Sequence, residues 1–120
     1  MNNNADAYGA KLAAMVGEDF YKFDIRDCLP STNTELIRLA GQGAPEGTVL
    51  IARRQTAGRG QVGRSFFSPE DTGIYMSLLL RPGFSFADSI TATACAAVVA
   101  AHSLQMVSRK KIQLKWVRCV

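Results

Sequence analysis

Between Arg53 and Arg64 the chain reads RRQTAGRGQVGR, with four arginines and three glycines in twelve residues directly after an apolar run. That is the chemistry of an anion-binding loop. Gly58, Gly60 and Gly63 permit φ > 0 and let backbone N–H groups approach a ligand closely. Arg59 and Arg64 can fork onto phosphate or carboxylate oxygens. A mobile arginine-rich surface loop has the same composition. So does a nucleic-acid-binding patch built on Arg53, Arg54, Arg59 and Arg64, which would bind in a salt-sensitive way. The single histidine, His102, falls in an alanine-rich stretch and reads as an ordinary surface or core residue.

The elements around the loop follow from periodicity and punctuation. Residues 6 to 16 place Tyr8, Leu12, Met15 and Val16 at helical spacing. Phe20 to Ile25 alternates as a half-buried strand does. Thr32 as N-cap with Glu35 three positions on forms a capping box ahead of Leu36, Ile37, Leu39 and Ala40, and Gly41, Gly43 and Pro45 end that helix. Thr48 to Ala52 is a buried strand leading into the loop. Ile74 to Leu80 is another, stopped by Pro82 and Gly83. Phe86 to Met106 predicts a long helix covering one face of the sheet, with Asp88 as N-cap. Ile112 to Val117 alternates again as a last strand. No repeat, low-complexity tract or domain boundary interrupts the pattern. The fold class is α+β, a mixed sheet flanked by at least three helices.

A chain of 120 residues is about one domain. Its formal charge of +4 and pI near 9.2 favour anionic ligands: nucleotides, nucleic acids or an acidic carrier protein. Cys28, Cys95 and Cys119 are odd in number and have no paired spacing, and no signal-peptide pattern opens the chain. A reducing, cytoplasmic setting is expected. The longest apolar stretch, Ala92 to Ala101, is far below the ~20 residues of a spanning helix, so no membrane role is expected.

Ser31-Thr32-Asn33 at a helix start, Gln55 before the loop, Phe66-Phe67-Ser68-Pro69, the strand Gly73-Ile74-Tyr75-Met76-Ser77-Leu78 and Lys115-Trp116-Val117 occur in this order. Together with the loop from Gln55 to Arg64 they resemble the motifs of the biotin protein ligases. The resemblance covers roughly residues 22 to 117. It implies a partial class II aminoacyl-tRNA-synthetase-like, biotin–lipoate ligase catalytic domain. The activity implied is ATP-dependent formation of biotinyl-5′-adenylate and transfer to a lysine of a biotin carboxyl carrier protein. Biotin, ATP and Mg²⁺ would be the small molecules, and the carrier protein or carboxylase domain the partner. Lipoate ligases share the chemistry but have a differently composed loop, and rank below.

Carried over by this resemblance, Ser31, Thr32, Asn33 and Gln55 would meet the ureido ring of biotin. Gly58, Arg59, Gly60 and Gln61 would contact biotin and its adenylate, Arg64 would support the phosphates and Phe66 would stack toward the adenine. Lys115 and Arg59 would be catalytic, with Lys115 reaching the carboxylate and the α-phosphate. None of these residues is expected to hold a metal. Read without the family, Ser31 to Asn33 only cap a helix, and Lys115 is a strand lysine facing solvent. Gln61 departs from the arginine usual there, which implies leakage of the adenylate. After Val117 the family continues with Asn-Asp, whereas this sequence reads Arg118-Cys119-Val120, as a frameshift would give. The expectation is an incomplete catalytic domain over 1–120, with neither an N-terminal winged helix nor a C-terminal small β-domain. A repressor role is therefore not expected, and an inactive fragment of such a ligase or a small basic nucleic-acid binder stands as the alternative.

Overall fold

The computed structural model describes residues 3–17, 19–60, 63–83 and 85–114. The chain divides into two compact units, Met1–Arg81 and Pro82–Val120. The sequence pattern shows no such boundary; it falls where Pro82 and Gly83 stop the preceding apolar run. In the first unit, helix α1 (Asn3–Val16) is followed by strand β1 (Lys22–Leu29), helix α2 (Thr32–Gly41), strand β2 (Thr48–Gln55) and strand β3 (Tyr75–Leu78). The sheet order is β1-β2-β3. β1 and β2 run parallel from Lys22 opposite Thr48 to Leu29 opposite Gln55, and β3 pairs antiparallel with β2, with Ser77 opposite Leu50. A parallel pair needs a crossover, and α2 supplies it.

β1 and β2 both extend beyond their apolar runs. Arg54 and Gln55 therefore lie on the ladder, opposite Cys28 and Leu29, rather than in the loop. Polar residues are tolerated there because they find partners. Arg53 reaches Asp71 at 2.7 Å, Glu70 at 3.1 Å and Asp27 at 3.7 Å. Arg26 bridges Asp24 at 2.8 Å and Glu35 at 3.2 Å.

The core is small. Leu29, Leu36, Leu50, Ala52 and Tyr75 form it, with Leu39 and Leu79 packed against it. Leu50 is fully buried in the central strand under α2, and burying one such leucine contributes about 1.5–3 kcal/mol. The stripe predicted for α1 is only partly used: Leu12 is half-buried, while Tyr8, Met15 and Val16 remain exposed.

Two helix starts differ from the capping residues expected. The N-cap of α2 is Ser31, whose Oγ accepts from the Thr34 N–H. Thr32 is thereby the first helical residue and Glu35 the fourth. Glu35 lies too far along for a capping box and pairs with Arg38 at 2.6 Å instead. In the second unit, helix α3 (Phe86–Ser108) starts from Ser85, whose hydroxyl donates to Asp88 Oδ2, while the Asp88 N–H donates to the Ser85 carbonyl. None of its described side chains is buried. By length and composition alone, Ile90–Ser108 is apolar enough to cross a membrane, with mean hydropathy 1.5. The Ala92–Ala101 count misses this because Ser and Thr dilute the apolar run without lowering its mean far. The strand expected over 112–117 does not form over 112–114. Alternation makes a strand only where a ladder receives it, and the Ile112 N–H donates to Gln105 Oε1 of the preceding helix instead. Residues 115–117 lie outside the described residues.

Candidate functional site

Three structural events bring the predicted residues together. The β1–α2 turn places Ser31 to Asn33 at a helix start, β2 ends at Gln55, and the following loop folds back so that Gln55 bridges Ser68 and Arg59 bridges Ser65. Ser31 and Thr32 are buried, at 3% and 4% exposure. Of the first-turn N–H groups of α2, that of Thr32 donates to Gln55 Oε1 at 2.7 Å and that of Thr34 to Ser31 Oγ at 3.4 Å. The Asn33 N–H has no acceptor among the described residues, as expected at the second position of a helix. It leaves a donor at the positive end of the helix dipole.

The Gln55 side chain is the junction. Its Oε1 receives the Thr32 N–H, its Nε2 donates to Ser68 Oγ at 3.1 Å, and its backbone N–H donates to the Ser68 carbonyl at 3.0 Å. A carboxamide has two donors and two acceptor sites, so one N–H and one lone pair remain for a ligand. Thr32 Oγ1 lies 2.9 Å from Ser77 Oγ, which ties the same helix turn to β3.

The loop glycines act differently from one another. Gly63 alone of the three has a left-handed backbone, with φ 72°. Gly58 is required by space: a Cβ there would collide with the Phe66 carbonyl and stand 2.5 Å from Ser68 Oγ. A Cβ on Gly60 would press on Arg64, 3.2 Å from its carbonyl oxygen. The reading that all three supply positive φ is thus corrected. The loop's neck is tied by Phe66 N–H to Gly58 O at 2.7 Å and Gly60 N–H to Arg64 O at 2.6 Å.

Two cavities result. One, of about 320 Å³, is lined by Ser31, Thr32, Asn33, Gln55, Arg59, Gly60 and the Ile74–Ser77 stretch of β3 and its approach. The other, of about 400 Å³, is lined by Asn33, Ala57, Gly58, Arg59, Gly60, Gly63, Arg64 and Ser65. Asn33, Arg59 and Gly60 line both. The first cavity offers hydroxyls and amides. The second offers cationic guanidinium groups, and neither Arg59 nor Arg64 has an ion pair among the described residues. Of the two arginines at the end of β2, Arg53 is occupied by three carboxylates and Arg54 donates to Cys28 Sγ at 3.4 Å.

The structure does not gather every expected residue. Phe66 is 58% exposed and lines neither cavity, and its backbone serves the loop neck. Gln61 and Lys115 lie outside the described residues. Ser68, Tyr75 and Ser77 also belong to the site, although sequence reasoning does not single them out. Tyr75 and Ser77 carry the signal of a hydroxyl on a predicted strand, whereas Ser68, 2% exposed, lies outside the strands. Among the described residues no group of three metal-ligating side chains forms.

Residues 25–119 match the family model described as the biotin/lipoate A/B protein ligase family. The bifunctional ligase/repressor BirA of Bacillus spizizenii is 37% identical over 91 residues, covering 76% of this chain and 28% of that protein. The biotin–[acetyl-CoA-carboxylase] ligase of Mycobacterium tuberculosis is 38% identical over 66 residues, covering 54% of this chain and 25% of that protein. The mixed sheet and its helices match the solved biotin protein ligase from Aquifex aeolicus in complex with biotin and ATP. The TM-score is 0.69 at 31% identity, covering 81% of this chain and 40% of that one. The chain spans about a quarter of the length of these curated relatives.

Proposed function

This chain belongs to the biotin/lipoate A/B protein ligase family, and from that premise we propose that it binds biotin and ATP and joins them as biotinyl-5′-adenylate for transfer to a lysine of a biotin carboxyl carrier protein. The observation that carries this reading is the pair of adjoining cavities meeting at Asn33, Arg59 and Gly60. One is rich in hydroxyl and amide groups with Arg59 at its edge; the other brings Arg59 together with Arg64.

In the first step a carboxylate oxygen of biotin attacks the α-phosphorus, a P–O bond forms, and the bond to pyrophosphate breaks. The reacting partners are both anions, so charge neutralisation and in-line positioning are what a protein must supply. Arg59, shared by the two cavities, suits the point where carboxylate and phosphate meet, and Arg64 suits the departing phosphates. In the second step a neutral lysine amine attacks the acyl carbon and AMP leaves with its electron pair, while the amine loses a proton. Neither step needs a protein nucleophile. Lys115 is assigned to the carboxylate and α-phosphate by resemblance alone.

Biotin is favoured over lipoate by the polarity of the first cavity. A ureido ring presents two N–H donors and a carbonyl, which the spare groups of Gln55, the Thr32 hydroxyl and the Asn33 amide can match; a dithiolane ring would leave them unpaired, at a cost to binding. The nucleic-acid reading is weakened because Arg53 is already neutralised by acids. Among the described residues no carboxylate lines either cavity. These residues therefore do not fit a protein-held Mg²⁺, and no step above is routed through one. A reducing, cytoplasmic setting accords with the free thiols of Cys28 and Cys95, and the net charge of +4 with an acidic carrier.

The test is mass-spectrometric detection of biotinyl-5′-adenylate after incubating the chain with biotin, ATP and Mg²⁺. Its appearance, with no lipoyl-adenylate when biotin is replaced by lipoate, is the expected result. No adenylate from either acid contradicts the proposal for this chain.

A further inference from the structure

Ser68 is nearly fully buried, at 2% exposure, yet it is polar, and its hydroxyl is committed on both sides. It donates to the Phe66 carbonyl at 3.1 Å and accepts from Gln55 Nε2 at 3.1 Å. A hydroxyl has one proton. Having given it to Phe66, Ser68 can only accept from Gln55, so it selects the nitrogen of that carboxamide. The Thr32 N–H can only donate, so it selects the oxygen. The two partners enforce the same amide orientation, and with it which spare donor and acceptor Gln55 offers to the cavity. Ser68 also abuts the loop neck, since its Oγ fills the space where a Cβ on Gly58 would stand.

We propose that Ser68 is a positioning residue that couples closure of the Gly58–Phe66 loop neck to the orientation of the Gln55 carboxamide. When Phe66 sits with its N–H on the Gly58 carbonyl, its own carbonyl takes the Ser68 proton and Gln55 is held nitrogen-toward-serine. When the neck opens, that proton is released, Ser68 can donate to Gln55 as readily as accept, and the amide loses its fixed orientation. Coupling of this kind is reciprocal: loss of the Gln55 amide must loosen the neck. The relevance to biotin rests on the function proposed above, whereas the coupling itself does not.

The experiment is a double-mutant cycle on the full chain, read by amide hydrogen exchange of Phe66 without ligand. In the presence of Ser68, Gln55→Ala is expected to speed Phe66 exchange by about five- to tenfold, the equivalent of one hydrogen bond. In a Ser68→Ala background the same Gln55 substitution is expected to change it by less than about twofold. Equal effects in the two backgrounds overturn the proposal, because a merely structural serine leaves the effects additive. Should Ser68→Ala not fold, Gln55→Glu decides with Ser68 in place: a carboxylate cannot donate, so Ser68 must turn its proton away from Phe66 and exchange must accelerate. Unchanged exchange overturns the coupling. A parallel biotin titration separates the two readings, since an intact cycle with no biotin binding leaves the coupling standing and removes the ligand assignment.

Discussion

The Thr32 N–H donates to Gln55 Oε1 across 2.7 Å, joining the first turn of α2 to the last residue of β2. A helix start leaves N–H groups without intrahelical partners, and a strand end leaves a side chain outside the ladder. Each supplies what the other lacks. The contact turns two local features into one wall of a cavity, and it explains why Ser31, not Thr32, must be the cap: the Thr32 hydroxyl is engaged with Ser77 and its N–H with Gln55.

Replacing Gln55 by Ala removes the acceptor of the Thr32 N–H and the donor to Ser68. We expect a loss of about 1–3 kcal/mol in stability, the range for stranding such partners. Urea unfolding of the two proteins measures it, and identical midpoints would show that water replaces the amide without cost.

Gly58→Ala puts a methyl group into the Phe66 carbonyl and against Ser68 Oγ. Overpacking of this kind costs about 1–3 kcal/mol, and the loop neck must shift, so biotin affinity falls too. Gly41→Ala is the control, because a Cβ there meets nothing within 4 Å. It is expected to be neutral or to stabilise by up to about 1 kcal/mol. Thermal unfolding and biotin titration of both variants decide whether space or chain flexibility governs position 58.

Arg59 and Arg53 are predicted to differ despite sharing one loop motif. Arg59→Ala should cut adenylate formation by about 100-fold, as removal of a preorganised charge contact does. Arg53→Ala removes exposed ion pairs to Asp27, Glu70 and Asp71, which are worth about 0–1 kcal/mol, and should leave the rate within about twofold. Equal losses would place both arginines in one general electrostatic field.

Glu35 provides a pH test of the α2 scaffold. The Arg38 guanidinium hydrogen-bonded to its carboxylate, with the Arg38 and Arg26 charges adding to this and partial desolvation opposing it, lowers its pKa from 4.5 to about 2. A depressed carboxylate stabilises the fold fully above its unfolded pKa and loses that contribution as pH falls toward the folded value. The stability difference between the native chain and Glu35→Gln should therefore be constant above about pH 5 and shrink between 4.5 and about 2. Denaturant melts across that range follow it, and a pH-independent difference would mean that the ion pairs contribute nothing.

Element identity was legible in the residues because periodicity and punctuation agree: α2, β2, β3 and α3 occur where apolar spacing and Gly or Pro breaks place them. Their ends were less legible. Arg53 to Gln55 read as loop because charge and glycine follow, yet Asp27, Glu70 and Asp71, distant in sequence, let Arg53 sit at a strand end. The choice between Ser31 and Thr32 as cap depends on Ser77, forty-five residues beyond Thr32. Gly58 looked like a φ > 0 glycine, and its real constraint is the approach of Phe66 and Ser68. Ser68 carried no signal in isolation, since only folding buries its hydroxyl between two partners. The arginine-glycine composition, by contrast, announced the cationic cavity directly.

Under the function proposed, biotin occupies the cavity between the start of α2, Gln55 and β3. The most direct test is a biotin titration followed by amide NMR of the isotope-labelled chain. Shifts are expected to be confined to Thr32, Asn33, the Gln55 side chain, Gly58 to Gly60 and Ser77. Absence of shifts at saturating biotin would contradict it. So would shifts centred instead on Leu12, Ile25, Ile51 and Arg53, which line a separate cavity of about 470 Å³.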